Sequence, residues 1–366
     1  MEPPEESFRP AGWLPGAHLQ TIWGRLTRSR RLVAFRRERV ETPDGDELVL
    51  DHVDTLFDSG PSRRSAPEST RRFPAAGPAS PAAVVLVLHG LEGSSYSVYV
   101  QGILEAAARR GFRGVALNFR SCARDPRDLS RMLPNRRPRL YHSGETEDLD
   151  FAVRTLAARE PDAPLYAVGV SIGGNVLLKW LGERPEQSGV AAAVALSTPY
   201  DLSACADHLE TPIGRLYVSS FLGTLRRKAI GAAERFPEAA ARIDVSRTRR
   251  ARSFREFDDA ATAPLHGFSG ADDYYRRSSS IAFLSRIATP TLCISSEDDP
   301  FLPAESLVSA RAAAPGSVEL RVTRRGGHIG FVAGSLPWRP SYWAEETAIE
   351  WLARREFKRK KEPGSG

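Results

Sequence analysis

The sequence predicts an α/β protein built on a mostly parallel sheet flanked by helices. Three observations carry that expectation. Continuous apolar runs, residues 83–88 and 165–170 among them, read as strands buried on both faces. Helix-like patterns at 98–110 and 174–181 separate such runs, and this alternation implies parallel crossovers. One strand-to-helix junction carries Gly169-Val170-Ser171-Ile172-Gly173, a G-x-S-x-G turn.

Composition narrows the class. With 366 residues, 41% of them hydrophobic, the chain can bury a sizeable core in one large domain or two small ones. It holds no run of eighteen apolar residues, so no transmembrane helix is expected. The start, Met1-Glu2-Pro3-Pro4-Glu5-Glu6, is acidic and precedes no apolar stretch, which argues against a signal peptide and for a cytoplasmic place. Cys122, Cys205 and Cys293 stand far apart without metal-ligand spacing, as free thiols in a reducing compartment do. The net charge is +6, but the arginines are interspersed with acids and no nucleic-acid motif accompanies them, so no nucleic-acid partner is expected. Lys358-Arg359-Lys360-Lys361 reads as a frayed basic tail, with weak contact to an anionic membrane surface as the alternative. Nothing in the chain speaks to its oligomeric state.

In chain order, residues 1–30 show little regular pattern, yet Trp13, Leu14, Leu19, Ile22 and Trp23 are apolar enough to pack on the core. Between 31 and 53, two alternating runs flank Pro43-Asp44-Gly45-Asp46, an antiparallel hairpin signal. Residues 58–81 are rich in Pro, Ser, Arg and Ala and read as a flexible loop. The strand of 83–88 ends in His89-Gly90-Leu91-Glu92-Gly93-Ser94. A strand at 114–119, a polar loop to about 145 and a helix to 159 follow, with Ser143 or Thr146 as its cap. After the elbow helix and a strand at 190–196 the alternation stops. Residues 200–287 lack clear strands and read as a helical insertion roofing the site. A strand at 291–295, a second at 318–322 and a helix at 343–357 complete the core. The expected division is thus an N-terminal segment 1–30, a core in two parts, 31–199 and 288–357, the insertion 200–287, and the tail 358–366.

Three strand ends carry the chemistry. A serine hydroxyl is a poor nucleophile at neutral pH and needs a base in reach, itself oriented by a carboxylate. Ser171 sits on a sharp turn whose neighbours Gly169 and Gly173 have no Cβ to clash. Later strands end in Glu297-Asp298-Asp299-Pro300-Phe301 and precede Gly326-Gly327-His328. Ser171, then Asp299 or Asp298, then His328 therefore stand in the order nucleophile, acid, base. The spacing to Phe301 favours Asp299, with Asp298 second. The backbone N–H groups of Ile172 and Leu91 are the candidate oxyanion donors. His89 reads as a residue fixing its loop, and Asn118 and Arg120 as possible wall residues. Residues 141–148 are polar but read as a helix start and not a metal site. No metal and no organic cofactor is expected.

These motifs resemble those of the YheT-like α/β-hydrolases. The resemblance runs along most of the chain: Ala17-His18-Leu19-Gln20-Thr21-Ile22-Trp23-Gly24, the His89–Ser94 stretch, Asn118-Phe119-Arg120-Ser121-Cys122, Tyr141-His142-Ser143-Gly144-Glu145-Thr146-Glu147-Asp148, the elbow, Arg255-Glu256-Phe257-Asp258-Asp259, Asp298-Asp299-Pro300-Phe301 and Gly326-Gly327-His328-Ile329-Gly330-Phe331. Ser121 departs from the glycine usual there. The resemblance implies the α/β-hydrolase fold with a helical lid, charge-relay roles for Ser171, Asp299 and His328, and hydrolysis of carboxylic esters, among them lipid-like acyl esters. Thioester hydrolysis or acyl transfer by the same residues, and a non-catalytic binding protein on a hydrolase fold, are the alternatives.

Overall fold

The computed structural model describes residues 8–29, 31–56, 71–72 and 82–361. Its frame is one twisted sheet. Strands β1 (Val33–Glu41) and β2 (Glu47–Leu56) form the antiparallel hairpin, turning at Asp44-Gly45, where Gly45 takes φ of 76°. The others are β3 (Val84–Leu88), β4 (Arg113–Asn118), β5 (Leu165–Val170), β6 (Ala192–Leu196), β7 (Thr291–Ser296) and β8 (Val318–Thr323). Their order is β1-β2-β4-β3-β5-β6-β7-β8, with every pairing from β4 onward parallel.

The central strands are apolar on both faces because both faces are covered. Leu86 and Leu88 of β3 join Leu165 and Ala167 of β5 in one core. Val85, Val87, Tyr166, Val168 and Val170 alternate with them into a second core on the opposite face. Side chains two apart along a strand share a face, so each strand serves two cores. Helices α1 (Ala17–Thr27), α2 (Val98–Arg109), α3 (Thr146–Arg159), α4 (Ile172–Glu183), α5 (Leu202–His208) and α6 (Pro212–Arg235) precede a series of shorter helices up to residue 286. Helices α7 (Ala304–Ala313) and α8 (Trp343–Lys361) close the chain. Between β6 and β7 the described residues form helices only, around a core of their own that includes Leu209, Val218, Leu222, Ile243 and Phe257.

Several expectations need correction. Residues 17–27 form a helix where the sequence shows little pattern. Its fully buried side chain is Gln20, while Leu19 and Leu26 face solvent. Of the apolar residues expected to pack, Leu14 is buried with Trp13 and Trp23 against it, Ile22 is half-buried and Leu19 is exposed. The polar loop before α3 contains a small hairpin, Arg124–Asp125 with Asp128–Met132. Neither Ser143 nor Thr146 caps α3; Glu145 holds that position and its carboxylate binds Arg139 instead. Lys358–Lys361 continues α8 and is not a frayed tail at those residues. Of the loop at 58–81, only Arg71–Arg72 is described, paired antiparallel with Thr55 and Leu56; the rest, like 362–366, lies outside the described residues. Cys122, Cys205 and Cys293 are free and buried.

Candidate active site

Ser171 sits where β5 turns into α4. Its φ of 54° lies in the left-handed region that non-glycine residues avoid. The turn is possible because its neighbours are bare. A Cβ on Gly169 would stand 2.5 Å from Gly173 O, and one on Gly173 would stand 2.6 Å from both Leu88 O and His89 O. The strained serine is pinned by its own N–H, which donates to Leu196 O at 2.8 Å.

The structure brings Ser171, His328 and Asp299 together. His328 Nε2 lies 3.0 Å from Ser171 Oγ. On the other edge of the ring, Nδ1 lies 2.9 Å from Asp299 Oδ2 and 3.1 Å from Oδ1. The carboxylate can only accept, so Nδ1 carries the proton and Nε2 is free to accept the serine hydroxyl. All three are largely withdrawn from solvent, Ser171 at 8%, His328 at 6% and Asp299 at 3% exposure. Phe301 N–H donates to Asp299 Oδ1 at 2.8 Å, and the Phe301 ring stacks on the imidazole at 4.2 Å. Asp298 faces elsewhere: its Oδ1 accepts from Gly327 N–H at 2.9 Å and shapes the histidine loop.

Leu91 and Ile172 both border the cavity next to Ser171. Ile172 is the first residue of α4, where N–H groups have no partner within the helix. Among the described residues neither the Leu91 nor the Ile172 N–H has a protein acceptor. His89 is not a base for this site. Its Nδ1–H donates to Gly90 O at 2.8 Å and its Nε2 accepts from Phe119 N–H at 3.1 Å. Burial pushes its pKa down to about 3, so it stays neutral and fixes the loop. Tyr99, which the sequence does not single out, accepts the Gly90 N–H at 2.8 Å.

The cavity measures about 570 Å³. Apolar walls come from the insertion, with Leu202, Leu209, Phe221 and Phe254, and the floor from the strand ends. Asn118 and Arg120 do not border it. Asn118 binds Asp51 and Ser95 N, and Arg120 is buried among Asp148, Asp46 and Asp44. Glu92, one residue past Leu91, is held at φ 56° by Tyr141 and by Lys228 of α6, whose Nζ lies 2.7 Å from Glu92 Oε1. No signal in the sequence separates Lys228 from its neighbours Arg226 and Arg227; only the helix phase turns it inward. Among the described residues no cluster of His, Cys, Asp and Glu suits a metal ion, and no helix is long and apolar enough to cross a membrane.

An elbow serine, a buried imidazole and a carboxylate at three strand ends of a parallel sheet define a class. The chain belongs to the alpha/beta hydrolase fold family, whose model matches residues 83–335. Within it, the chain is 37% identical to YheT of Escherichia coli (strain K12), over 94% of this chain and 92% of that protein. It is 31% identical to the phospholipase ABHD3 of Bos taurus, over 92% of this chain and 76% of that one. Among solved structures, the Pyrococcus furiosus esterase Pf2001 superposes with a TM-score of 0.53 at 15% identity, over 89% of this chain and 93% of that chain, a likeness of fold.

Proposed function

We propose that the chain is a serine hydrolase that cleaves carboxylic esters, with Ser171 as nucleophile, His328 as general base and Asp299 as its orienting carboxylate. The observation that carries this reading is the 3.0 Å approach of His328 Nε2 to Ser171 Oγ, with Nδ1 tied to Asp299. As Oγ attacks the acyl carbon, His328 takes its proton. The negative charge then formed on the carbonyl oxygen meets the Leu91 and Ile172 N–H groups and the N-terminal end of α4. Collapse expels the alcohol, which takes the proton back from His328, and water releases the acid from Ser171 by the same route. Burial of Asp299 lets the carboxylate stabilise the transient imidazolium with little screening.

The apolar walls suit an acyl chain, and the phospholipase name of one relative supports a lipid-like acyl ester as substrate. The test is hydrolysis of p-nitrophenyl esters of graded acyl length by the wild type and by Ser171→Ala. Turnover in the variant falls by up to about a million-fold. Full activity in the variant overturns the reading.

A further inference from the structure

Eight large apolar side chains are exposed among the described residues, and six of them fall on three segments. Leu19 and Leu26 share one face of α1, seven residues apart. Ile213 and Leu216 lie in the first turns of α6. Leu336 and Trp338 occupy the loop between the paired strands Val332–Ala333 and Ser341–Tyr342. Leu26, Leu216 and Trp338 are each more than 70% exposed, which is costly for side chains of this size without a partner.

The three segments are neighbours. His18 Nδ1 of α1 meets Tyr217 Oη of α6 at 3.1 Å. The guanidinium of Arg28, just past α1, lies 4.0 Å over the Tyr342 ring, and Trp13 Nε1 donates to Gly334 O at 3.0 Å. Residues of α1, α6 and Tyr342 all border the cavity that holds Ser171, whereas none of the six exposed apolar residues does. They stand outside it, on the elements that frame it.

Charge points the same way. Residues 17–28, 212–233 and 334–342 contain no Asp or Glu, in a chain where 45 of 366 residues are acidic. Of their basic residues, Arg28 pairs with Glu345, Arg215 with Glu210 and the inward-turned Lys228 with Glu92. Arg25 and Arg339 are exposed and have no carboxylate partner among the described residues. An apolar face flanked by two exposed arginines free of carboxylate partners matches a bilayer surface with anionic headgroups: leucines and a tryptophan enter the acyl boundary while the guanidinium groups of Arg25 and Arg339 meet phosphate.

We propose that this face, formed by α1, the start of α6 and the 334–340 loop, docks on an anionic lipid surface. Docked so, the cavity borders the interface from which a lipid-like ester enters. Docking itself does not depend on the proposed reaction.

The test is co-sedimentation of the full chain with phosphatidylcholine vesicles, with and without phosphatidylglycerol. The wild type and Ser171→Ala sediment alike with the anionic vesicles, and less as salt rises. The combined variant Leu19→Ser, Leu26→Ser, Leu216→Ser and Trp338→Ser loses this binding by about a hundredfold or more, since each of the four side chains leaving water contributes up to about tenfold. Its hydrolysis of a short, water-soluble ester is unchanged, which shows that it folds. Leu216→Ser and Trp338→Ser, made singly, each lose part of the binding. Equal sedimentation of the combined variant overturns the proposal, as does a wild type with no preference for anionic vesicles. A dimer in light scattering that the same four changes dissociate, without vesicle binding by the wild type, assigns the face to a second copy and overturns it too.

Discussion

Thr21 Oγ accepts the main-chain N–H of His328 at 2.9 Å, across 307 residues of sequence. The N-terminal helix is thus a support for the candidate base. Gln20 completes the tie: its amide oxygen accepts from Val332 N–H at 2.7 Å and its Nε2 donates to Val332 O at 3.2 Å. Replacing Thr21 by Val leaves a buried N–H without a partner, a cost of about 1–3 kcal/mol. Thr21→Val is expected to lower kcat by about tenfold or more with little change in KM, because a base displaced by a fraction of an ångström loses alignment. Thr21→Ser retains the hydroxyl and restores kcat. Steady-state kinetics on one soluble ester checks both.

The ion pair of Lys228 and Glu92 is buried, with side-chain exposures of 9% and 8%. Lys228→Met strands the Glu92 carboxylate, at a cost of about 3–5 kcal/mol. The double variant Lys228→Met with Glu92→Gln removes the stranded charge and regains most of that loss. Urea unfolding of the three proteins measures it. Turnover falls in the single variant because Glu92 adjoins the Leu91 amide.

Glycine positions separate by what surrounds them. Gly173→Ala places a Cβ against two main-chain oxygens that cannot retreat without moving β3. It is expected to cost about 1–3 kcal/mol or more and to lower turnover by about a hundredfold. Gly223→Ala, in the exposed interior of α6 with nothing within 4 Å, is expected to stabilise the protein by about 1 kcal/mol. Thermal melts and ester turnover of the pair check the contrast.

His89 is neutral in the folded protein because burial holds its pKa at about 3, below the unfolded value of about 6.5. The unfolded chain therefore binds a proton between those values that the native chain refuses. The stability this residue contributes is complete above about pH 6.5 and is lost as pH falls toward 3. His89→Gln keeps a donor and an acceptor but does not titrate. The stability of the wild type relative to His89→Gln is expected to fall with decreasing pH, by at most about 1.4 kcal/mol per unit between pH 6 and 4. Urea unfolding across that range tests it; a constant difference contradicts it.

The sheet is legible in the sequence because its central strands are buried on both faces, so β3, β5 and β6 appear as unbroken apolar runs. Ser171 and His328 stand out for a related reason, since each lies at a strand end beside glycines that the packing requires. The choice between Asp298 and Asp299 rests on which way two adjacent carboxylates turn, and spacing alone only leans one way. Arg120 shows why nearness in sequence misleads. It follows the end of β4, yet three aspartates draw it away from the cavity. The supporting role of α1 is hidden because a glutamine and a threonine carry it through main-chain contacts, while the leucines beside them face outward. Lys228 is hidden among like charges.

The most direct measurement is covalent capture of the nucleophile by a fluorophosphonate, read by peptide mass spectrometry of the folded protein. A single adduct on Ser171, absent when the protein is unfolded beforehand and strongly slowed in His328→Ala, is the predicted result. A folded wild type that hydrolyses esters while Ser171 stays unlabelled, or that labels equally fast without His328, contradicts the account.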